Sequence, residues 1–220
     1  STHLLHSALK KVLGNHVSQK GSLVNDEKLR FDFSHNDMIS EENLENIELL
    51  VNKIIKQKSP VQIEIQDHNV AVNSGAIALF GEKYVDEVRV VTMGKDRDNI
   101  FSRELCGGTH VNNTGDIKKF KITNQSSIAS GVRRIEALTN ISVNVFNSDQ
   151  ELKQKDIKIQ TKNEIYKYIN LIKDINPRKT YNIDLEKNLE KQLKEIKKIY
   201  NDNKQNIDIT KNKENIKIEK

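Results

Sequence analysis

The segment Cys106-Gly107-Gly108-Thr109-His110, which holds the only cysteine of the chain, constrains its fold more than any other feature. A thiol and an imidazole four positions apart can face one point, because the two glycines let the backbone bend between them. Together with a histidine of the helical segment Thr2-His3-Leu4-Leu5-His6, at the other end of the core, they would form a sulfur and nitrogen donor set that suits Zn²⁺. The spacing alone leaves a second interpretation open, a buried free cysteine beside an unrelated histidine.

Charge is distributed unevenly along the 220 residues, whose formal net charge is +5. Residues 1–140 carry equal numbers of basic and acidic side chains, so the whole excess lies in residues 141–220. A basic excess favours RNA through phosphate contacts, but this one is also typical of a solvated tail, the interpretation we favour. Local basic clusters in the core are more suggestive of a nucleic-acid partner; they are Lys118, Lys119, Lys121, Arg133 and Arg134.

The compartment is predicted from cysteine usage and from hydropathy. A single cysteine excludes an intrachain disulfide framework and fits a reducing compartment, so a cytoplasmic location is expected. No apolar run reaches 18 residues, so no membrane span is expected. The first residues do not have the pattern of a secretory signal.

Apolar spacing predicts an α+β domain over residues 1–140, with helices packed on one mixed or antiparallel sheet. A first helix, with apolar positions from Leu4 to Leu13, would carry His3 in its first turn, and Ser40 would cap a second helix. A short helix is predicted at 69–79 and a charged turn at 93–99. Strands are predicted at 17–24, 29–33, 61–65, 88–93, 117–122 and 131–138.

Residues 141–200 are predicted to form a helical extension, and residues 201–220 a weakly ordered tail. Two helices are expected at 141–154 and 163–175, and Pro177 would separate them from a third. The apolar stripe of the third helix is too short to predict a coiled coil; it consists of Leu185, Leu189, Leu193, Ile196 and Tyr200.

Seven blocks in residues 1–140 resemble, in the same order, the editing domain of alanyl-tRNA synthetase. Threonyl-tRNA synthetase and the free-standing alanyl-tRNA deacylases share this domain type. The Cys-Gly-Gly-Thr-His segment and the block Arg133-Arg134-Ile135-Glu136-Ala137 are similar to the alanyl version. The blocks lie at 2–6, 16–24, 29–33, 78–84, 101–111, 114–117 together with 120–122, and 131–137.

The resemblance implies a zinc site held by His3, Cys106 and His110. It also implies a fourth ligand, a histidine four residues before His3 and therefore ahead of Ser1. We therefore expect weaker zinc binding and impaired activity for the chain as it stands. We interpret His6 as a packing or supporting residue rather than a ligand.

The implied reaction is hydrolysis of the ester in Ser-tRNA(Ala) or Gly-tRNA(Ala). A pocket that selects alanine rejects these close analogues poorly, so a second hydrolytic site is a physical solution. Gln19 and Cys106 are the candidate catalytic residues, and the Gln19 amide suits a serine hydroxyl. The backbone of Gly107, Gly108 and Thr109 would offer N–H groups to the ester oxygen, unless the two glycines serve only a tight turn.

Arg30 and Asp32 are candidate substrate-binding residues that the alternation with Leu29, Phe31 and Phe33 turns away from the apolar face. They would line the cleft or simply pair in solvent.

The expected partners are the acceptor end of tRNA(Ala) and the ATP-dependent aminoacylation domain of the same full-length protein, which would precede Ser1. Two other classes stay open: a free-standing trans-editing deacylase, and a non-catalytic tRNA-binding module with a structural or incomplete metal site. Metal content and a deacylation assay would separate these classes. The oligomeric state is not indicated by the sequence.

Overall fold

The structure is a computed structural model that describes residues 1–78, 85–178, 180–184 and 187–218, with side chains up to residue 205. The chain forms two compact units, Ser1–Phe146 and Asn147–Lys220. The predicted α+β class is confirmed, because helices pack on antiparallel sheets in the first unit and the second is helical. Of the block at 78–84, only Ala78 lies within the described residues.

Two helices build one side of the core as the apolar spacing predicts. Helix α1 (Thr2–Leu13) buries Leu4, Leu5 and Leu9, and the Gly14 N–H closes its last turn on the Lys10 carbonyl. Helix α2 (Glu41–Lys56) begins at the predicted cap, where the Ser40 hydroxyl accepts the Asn43 N–H at 3.2 Å. The two helices pack against each other over the apolar face of a sheet.

That sheet has four antiparallel strands in the order β1-β2-β7-β6. The strands are β1 (Gln19–Val24), β2 (Leu29–Ser34), β6 (Phe120–Ala129) and β7 (Val132–Thr139). Leu29, Phe31 and Phe33 of β2 face the helices, as their alternation predicts.

The prediction of a single sheet is wrong. A second antiparallel sheet, in the order β3-β4-β5, contains β3 (Gln62–Asp67), β4 (Glu87–Asp96) and β5 (Asn99–Leu105). The predicted turn at 93–99 is also wrong, because most of it belongs to β4. Asp96, at the end of β4, forms ion pairs with Lys11 and Lys53. The charged residues of this segment therefore belong to the end of a strand and do not indicate a loop.

Two smaller boundaries differ from the prediction. The segment Thr114–Ile117 forms a 3₁₀ turn, and strand β6 begins only at Phe120. A reciprocal cap between Asn113 and Asp116 stabilises that turn. Helix α3 (His68–Asn73) ends before Gly75, and Leu79, the end of the predicted helix, lies outside the described residues.

The two helices predicted at 141–154 and 163–175 are one helix in the structure. Helix α4 (Ile141–Ile175) is continuous, because residues 155–162 contain neither Gly nor Pro to interrupt it. Helix α5 (Leu189–Ile218) follows and continues through residues expected to be weakly ordered, an expectation that stays a prediction. The second unit has its own apolar cluster, which includes Ile165, Ile169 and Ile196. Leu185, the first residue of the predicted apolar stripe, lies outside the described residues.

No helix in the described ranges combines the length and hydropathy that a membrane crossing requires.

Gly94 of β4 lies directly against the Ile54 side chain of helix α2. Its φ is +66°, and a Cβ atom there would collide with the Ile54 side chain, which is fully buried. We expect Gly94→Ala to lower the free energy of unfolding by about 2–4 kcal/mol, since backbone strain and overpacking add. Urea unfolding measures this change.

Gly21→Ala is the matched control for Gly94→Ala. Its added Cβ would lie 3.5 Å from the Asp32 carboxylate, an ordinary contact, at a φ that is not in the left-handed region. We expect a change below about 1 kcal/mol in this variant. Equal losses in both variants would contradict the close approach at Gly94.

Candidate metal centre

A cavity of about 620 Å³ opens between the start of α1, strand β1 and the segment that follows β5. Its lining includes His3, Gln19, Cys106 and His110, which come from three separate parts of the chain. The 3₁₀ turn and the end of β7 complete the wall through Asp116, Ile117, Thr139 and Asn140.

Three of the lining residues bring metal-ligating atoms together. The donor atoms of His3, Cys106 and His110 all lie within 4.8 Å of one another, and the two Nε2 atoms are 3.0 Å apart. Two nitrogens bound to one tetrahedral zinc ion are separated by roughly 3.3 Å, given bond lengths of about 2.0–2.1 Å. The donor set and its spacing therefore fit Zn²⁺.

A residue that sequence reasoning missed lies directly behind this donor set. Glu104 is 1% exposed, and its carboxylate accepts hydrogen bonds from His3 Nδ1 at 2.6 Å and from His6 Nδ1 at 3.0 Å. An ionised carboxylate only accepts, so both Nδ1 atoms carry hydrogen and His3 presents Nε2 to the other donors. Such a partner fixes the orientation and tautomer of a metal-binding histidine.

The position of Glu104 was readable from a strand pattern. It lies two residues before Cys106 at the end of β5, where alternate side chains share a face. His6, interpreted from sequence as packing or supporting, contacts Phe31 at 5.4 Å between ring centroids and lies outside the donor group.

Arg89 of β4 holds the backbone of the Cys106–His110 segment. Its Nη1 donates to the carbonyl oxygens of Cys106 at 2.8 Å and Gly108 at 2.7 Å. The same nitrogen lies 3.4 Å from His110 Nδ1. One guanidinium therefore ties both ends of the segment to the second sheet, a role that nothing in the local sequence indicates.

The protonation states of these groups are coupled. Burial lowers the pKa of His3, but its hydrogen bonds with Cys106 and Glu104 outweigh burial and raise the pKa to about 9. The same hydrogen bond from His3 lowers the pKa of the Cys106 thiol, against the effect of burial. Burial and the charges of His3 and Arg89 lower the pKa of His110 to about 4. Thiolate and neutral imidazole are the metal-binding forms. His110 is therefore already neutral near pH 7, the lowered pKa of Cys106 favours its thiolate, and His3 would release a proton on binding a metal.

Burial raises the pKa of Glu104, but its hydrogen bonds with His3 and His6 outweigh burial and lower the pKa to about 2. Glu104 is therefore ionised wherever the protein is folded near neutral pH, and it stays an acceptor for both imidazoles.

The other predicted site residues separate into two groups. Gln19 lines the cavity and donates to the Ser22 hydroxyl at 3.4 Å, and Gly108 and Thr109 also line it. Gly107 is exposed and is not part of the lining.

Arg30 and Asp32 lie on the other side of the sheet, away from the cavity. Asp32 is 8% exposed because Arg134 covers it in a two-pronged ion pair, with Nε–Oδ1 at 2.6 Å and Nη2–Oδ2 at 2.8 Å. Their strand positions therefore bring neither of them to the donor group.

Comparison with known proteins gives a consistent result. Residues 88–136 match the family described as the threonyl and alanyl tRNA synthetase second additional domain. An alanine–tRNA ligase of Saccharophagus degradans is 60% identical over 139 residues, which are 63% of this chain and 15% of that protein. A second alanine–tRNA ligase, from Bdellovibrio bacteriovorus, is 57% identical over 139 residues, again 63% of this chain and 15% of that protein.

An alanine–tRNA ligase of Shewanella loihica is 46% identical over 196 residues, 89% of this chain and 21% of that protein. The matches thus span about a fifth of the relatives' length or less. They confirm the resemblance to the alanyl-tRNA synthetase editing domain that the sequence blocks predict.

Proposed function

We propose that this chain hydrolyses the ester of Ser-tRNA(Ala) or Gly-tRNA(Ala) in a zinc-dependent site, as the editing part of an alanyl-tRNA synthetase. One observation carries the proposal: His3, Cys106 and His110 converge in a cavity that Gln19 also lines. Its volume, about 620 Å³, lies in the range of small-molecule sites, which suits a terminal nucleoside with its amino acid.

The residues that line or support the cavity would have different roles in the reaction. His3, Cys106 and His110 would hold zinc, which when bound would polarise the ester carbonyl, activate a water molecule or anchor the amino group. Gln19 would contact the amino-acid side chain, and backbone N–H groups near Gly108 and Thr109 would stabilise the ester oxygen. Glu104 and Arg89 keep the donors in place through the contacts described above.

The partner in this proposal is tRNA(Ala), entering by its acceptor end, and the setting is the cytoplasm. In the longer protein, an ATP-dependent aminoacylation domain would form the ester and this part would remove the mischarged product.

A deacylation assay tests the proposal. The zinc-loaded chain should release serine from Ser-tRNA(Ala) faster than alanine from Ala-tRNA(Ala), and chelation should remove the difference. Equal, uncatalysed release from both substrates, with tRNA binding retained, would favour a non-catalytic tRNA-binding module instead. Hydrolysis that persists after complete zinc removal would contradict the metal-dependent form of the proposal.

Gln19→Ala should reduce hydrolysis of Ser-tRNA(Ala) more than that of Gly-tRNA(Ala). Only serine offers a hydroxyl, and losing a polar partner for it costs about 1–3 kcal/mol, or roughly 5–150-fold in rate. The kcat/KM ratio of the two substrates measures this. Ser22→Ala, which changes the Gln19 neighbour at 3.4 Å, is the matched control and should have a smaller effect. Equal losses on both substrates in Gln19→Ala would rule out hydroxyl recognition.

A further inference from the structure

The 3₁₀ turn Thr114–Ile117 is held by a set of buried and capping hydrogen bonds that the proposed reaction does not explain. Thr114 is fully buried, and its hydroxyl donates to the Ile54 carbonyl at 3.1 Å and accepts the Ser59 N–H at 3.0 Å. Asn113 and Asp116 cap the turn reciprocally, and Ile117 packs in the core. A short turn anchored in this way holds its flanking residues at defined positions beside the cavity.

Lys58 lies over this turn. A Cβ atom at Gly115 would meet Lys58 Cγ at 2.8 Å, so the missing side chain leaves room for the lysine stem. The Asn113 amide also donates to the Lys58 carbonyl at 2.7 Å, and the Lys58 side chain is exposed. The turn thus packs against a lysine that follows α2, and two further lysines, Lys118 and Lys119, follow the turn directly in sequence.

Lys118 and Lys119 follow the turn in sequence and lie next to residues that line the cavity. Lys118 follows the lining residue Ile117, and the Lys119 carbonyl accepts the N–H of another lining residue, Asn140, at 3.0 Å. Both side chains are exposed, and Lys119 Nζ contacts only the neutral amide of Asn144 at 2.9 Å.

Ion pairs among the described residues do not neutralise Lys58, Lys118 or Lys119. Lys121, the next lysine along, is paired with Glu48 at 3.1 Å. Within the part of the chain that the structure describes, no carboxylate forms an ion pair with Lys58, Lys118 or Lys119. Asp116, the acidic residue of the turn, accepts the Asn113 backbone N–H at 3.1 Å.

We propose that Lys58, Lys118 and Lys119 form a phosphate-binding rim that seats the single-stranded 3′ end of the transfer RNA as it enters the cavity. The inference rests on the proposed function, because the ester is carried by the last nucleotide of that strand. The phosphates that precede an ester placed in the cavity must cross its edge, and ammonium groups attract them without reading sequence.

The test replaces all three lysines by glutamine, which keeps the side-chain length and removes the charge. Each lost contact should weaken tRNA binding about fivefold, the effect of one charge pair at about 4 Å in water, so three should cost roughly a hundredfold at low salt. The plot of log affinity against log salt should flatten by about 0.7 for each lysine. The KM for Ser-tRNA(Ala) should rise while kcat at saturation stays unchanged.

The matched control removes three exposed lysines from α4, Lys155, Lys167 and Lys173. It makes the same change in net charge and should leave KM and the salt dependence close to those of the parent. Arginine at positions 58, 118 and 119 should restore binding. A thermal unfolding midpoint equal to that of the parent shows that the glutamine variant is folded.

A second substrate separates this inference from the proposed function. The serine ester of adenosine carries no phosphate, so parent and glutamine variant should hydrolyse it equally. If neither the parent nor the glutamine variant hydrolyses any ester, but the variant still binds tRNA more weakly and with a smaller salt dependence, the proposed function is wrong and the phosphate-binding rim is supported. Unchanged tRNA affinity and salt slope in the glutamine variant, or equal losses in the α4 control, would overturn the rim.

Discussion

Replacing Cys106 by alanine is expected to remove bound zinc and abolish deacylation of Ser-tRNA(Ala) while the fold is retained. Cys106 supplies the one sulfur of the donor group, and His3 lowers its pKa toward the thiolate that binds metal. Loss of a supporting contact alone costs about 10–100-fold in metal affinity, so loss of a ligand should exceed 100-fold. The side chain is only half-buried, so little packing is lost.

Metal content and single-turnover deacylation measure the effect of Cys106→Ala, and circular dichroism checks the fold. His35→Ala is a suitable control, because His35 is paired with His16 at 2.8 Å outside the cavity. It should keep full zinc content and full activity. Unchanged zinc content and rate in Cys106→Ala would exclude Cys106 as a ligand.

Glu104→Ala is expected to have the second largest effect, on both stability and metal affinity. Removing the carboxylate leaves two buried imidazole N–H groups without their acceptor, and breaking a buried charged pair costs about 3–5 kcal/mol. His3 would also lose the contact that holds its Nε2 toward His110, so zinc affinity should fall about 10–100-fold.

Urea unfolding and a zinc competition titration measure the two effects of Glu104→Ala separately. Glu104→Gln keeps one accepting oxygen and should therefore be intermediate in both. Glu64→Gln on β3 is the matched control; that carboxylate is 54% exposed and lies 4.0 Å from Arg103, so the change should be within about 0.5 kcal/mol. Zinc affinity of Glu104→Ala equal to that of the parent would refute the positioning role.

Local patterns were sufficient wherever neighbours in sequence make the contacts. Helix α1 and the Ser40 cap depend on residues within one or two turns, and the Phe31 and Phe33 alternation depends on the two-residue period of a strand. The motif of Cys106 and His110 was readable for the same reason, since the two donors are only four positions apart in the sequence.

The pairing of strands and side chains that are far apart in the sequence could not be predicted from such local patterns. The division into two sheets follows because β3, β4 and β5 pair with one another and not with β1, β2, β6 or β7, and a period of two does not state which strand is the neighbour. Arg30 and Asp32 were assigned to a cleft or to solvent, but only the sheet order shows that Arg134 of β7 covers Asp32.

The site itself combines both kinds of information. The sequence determined the chemistry of the donors, because thiol and imidazole at His3, Cys106 and His110 are the same wherever the chain places them. The tertiary structure alone decided that Glu104 orients His3 and that Arg89 ties down the segment from Cys106 to Gly108. Those contacts join residues of separate elements, and their strength comes from burial, which exists only once α1 and the second sheet have packed together.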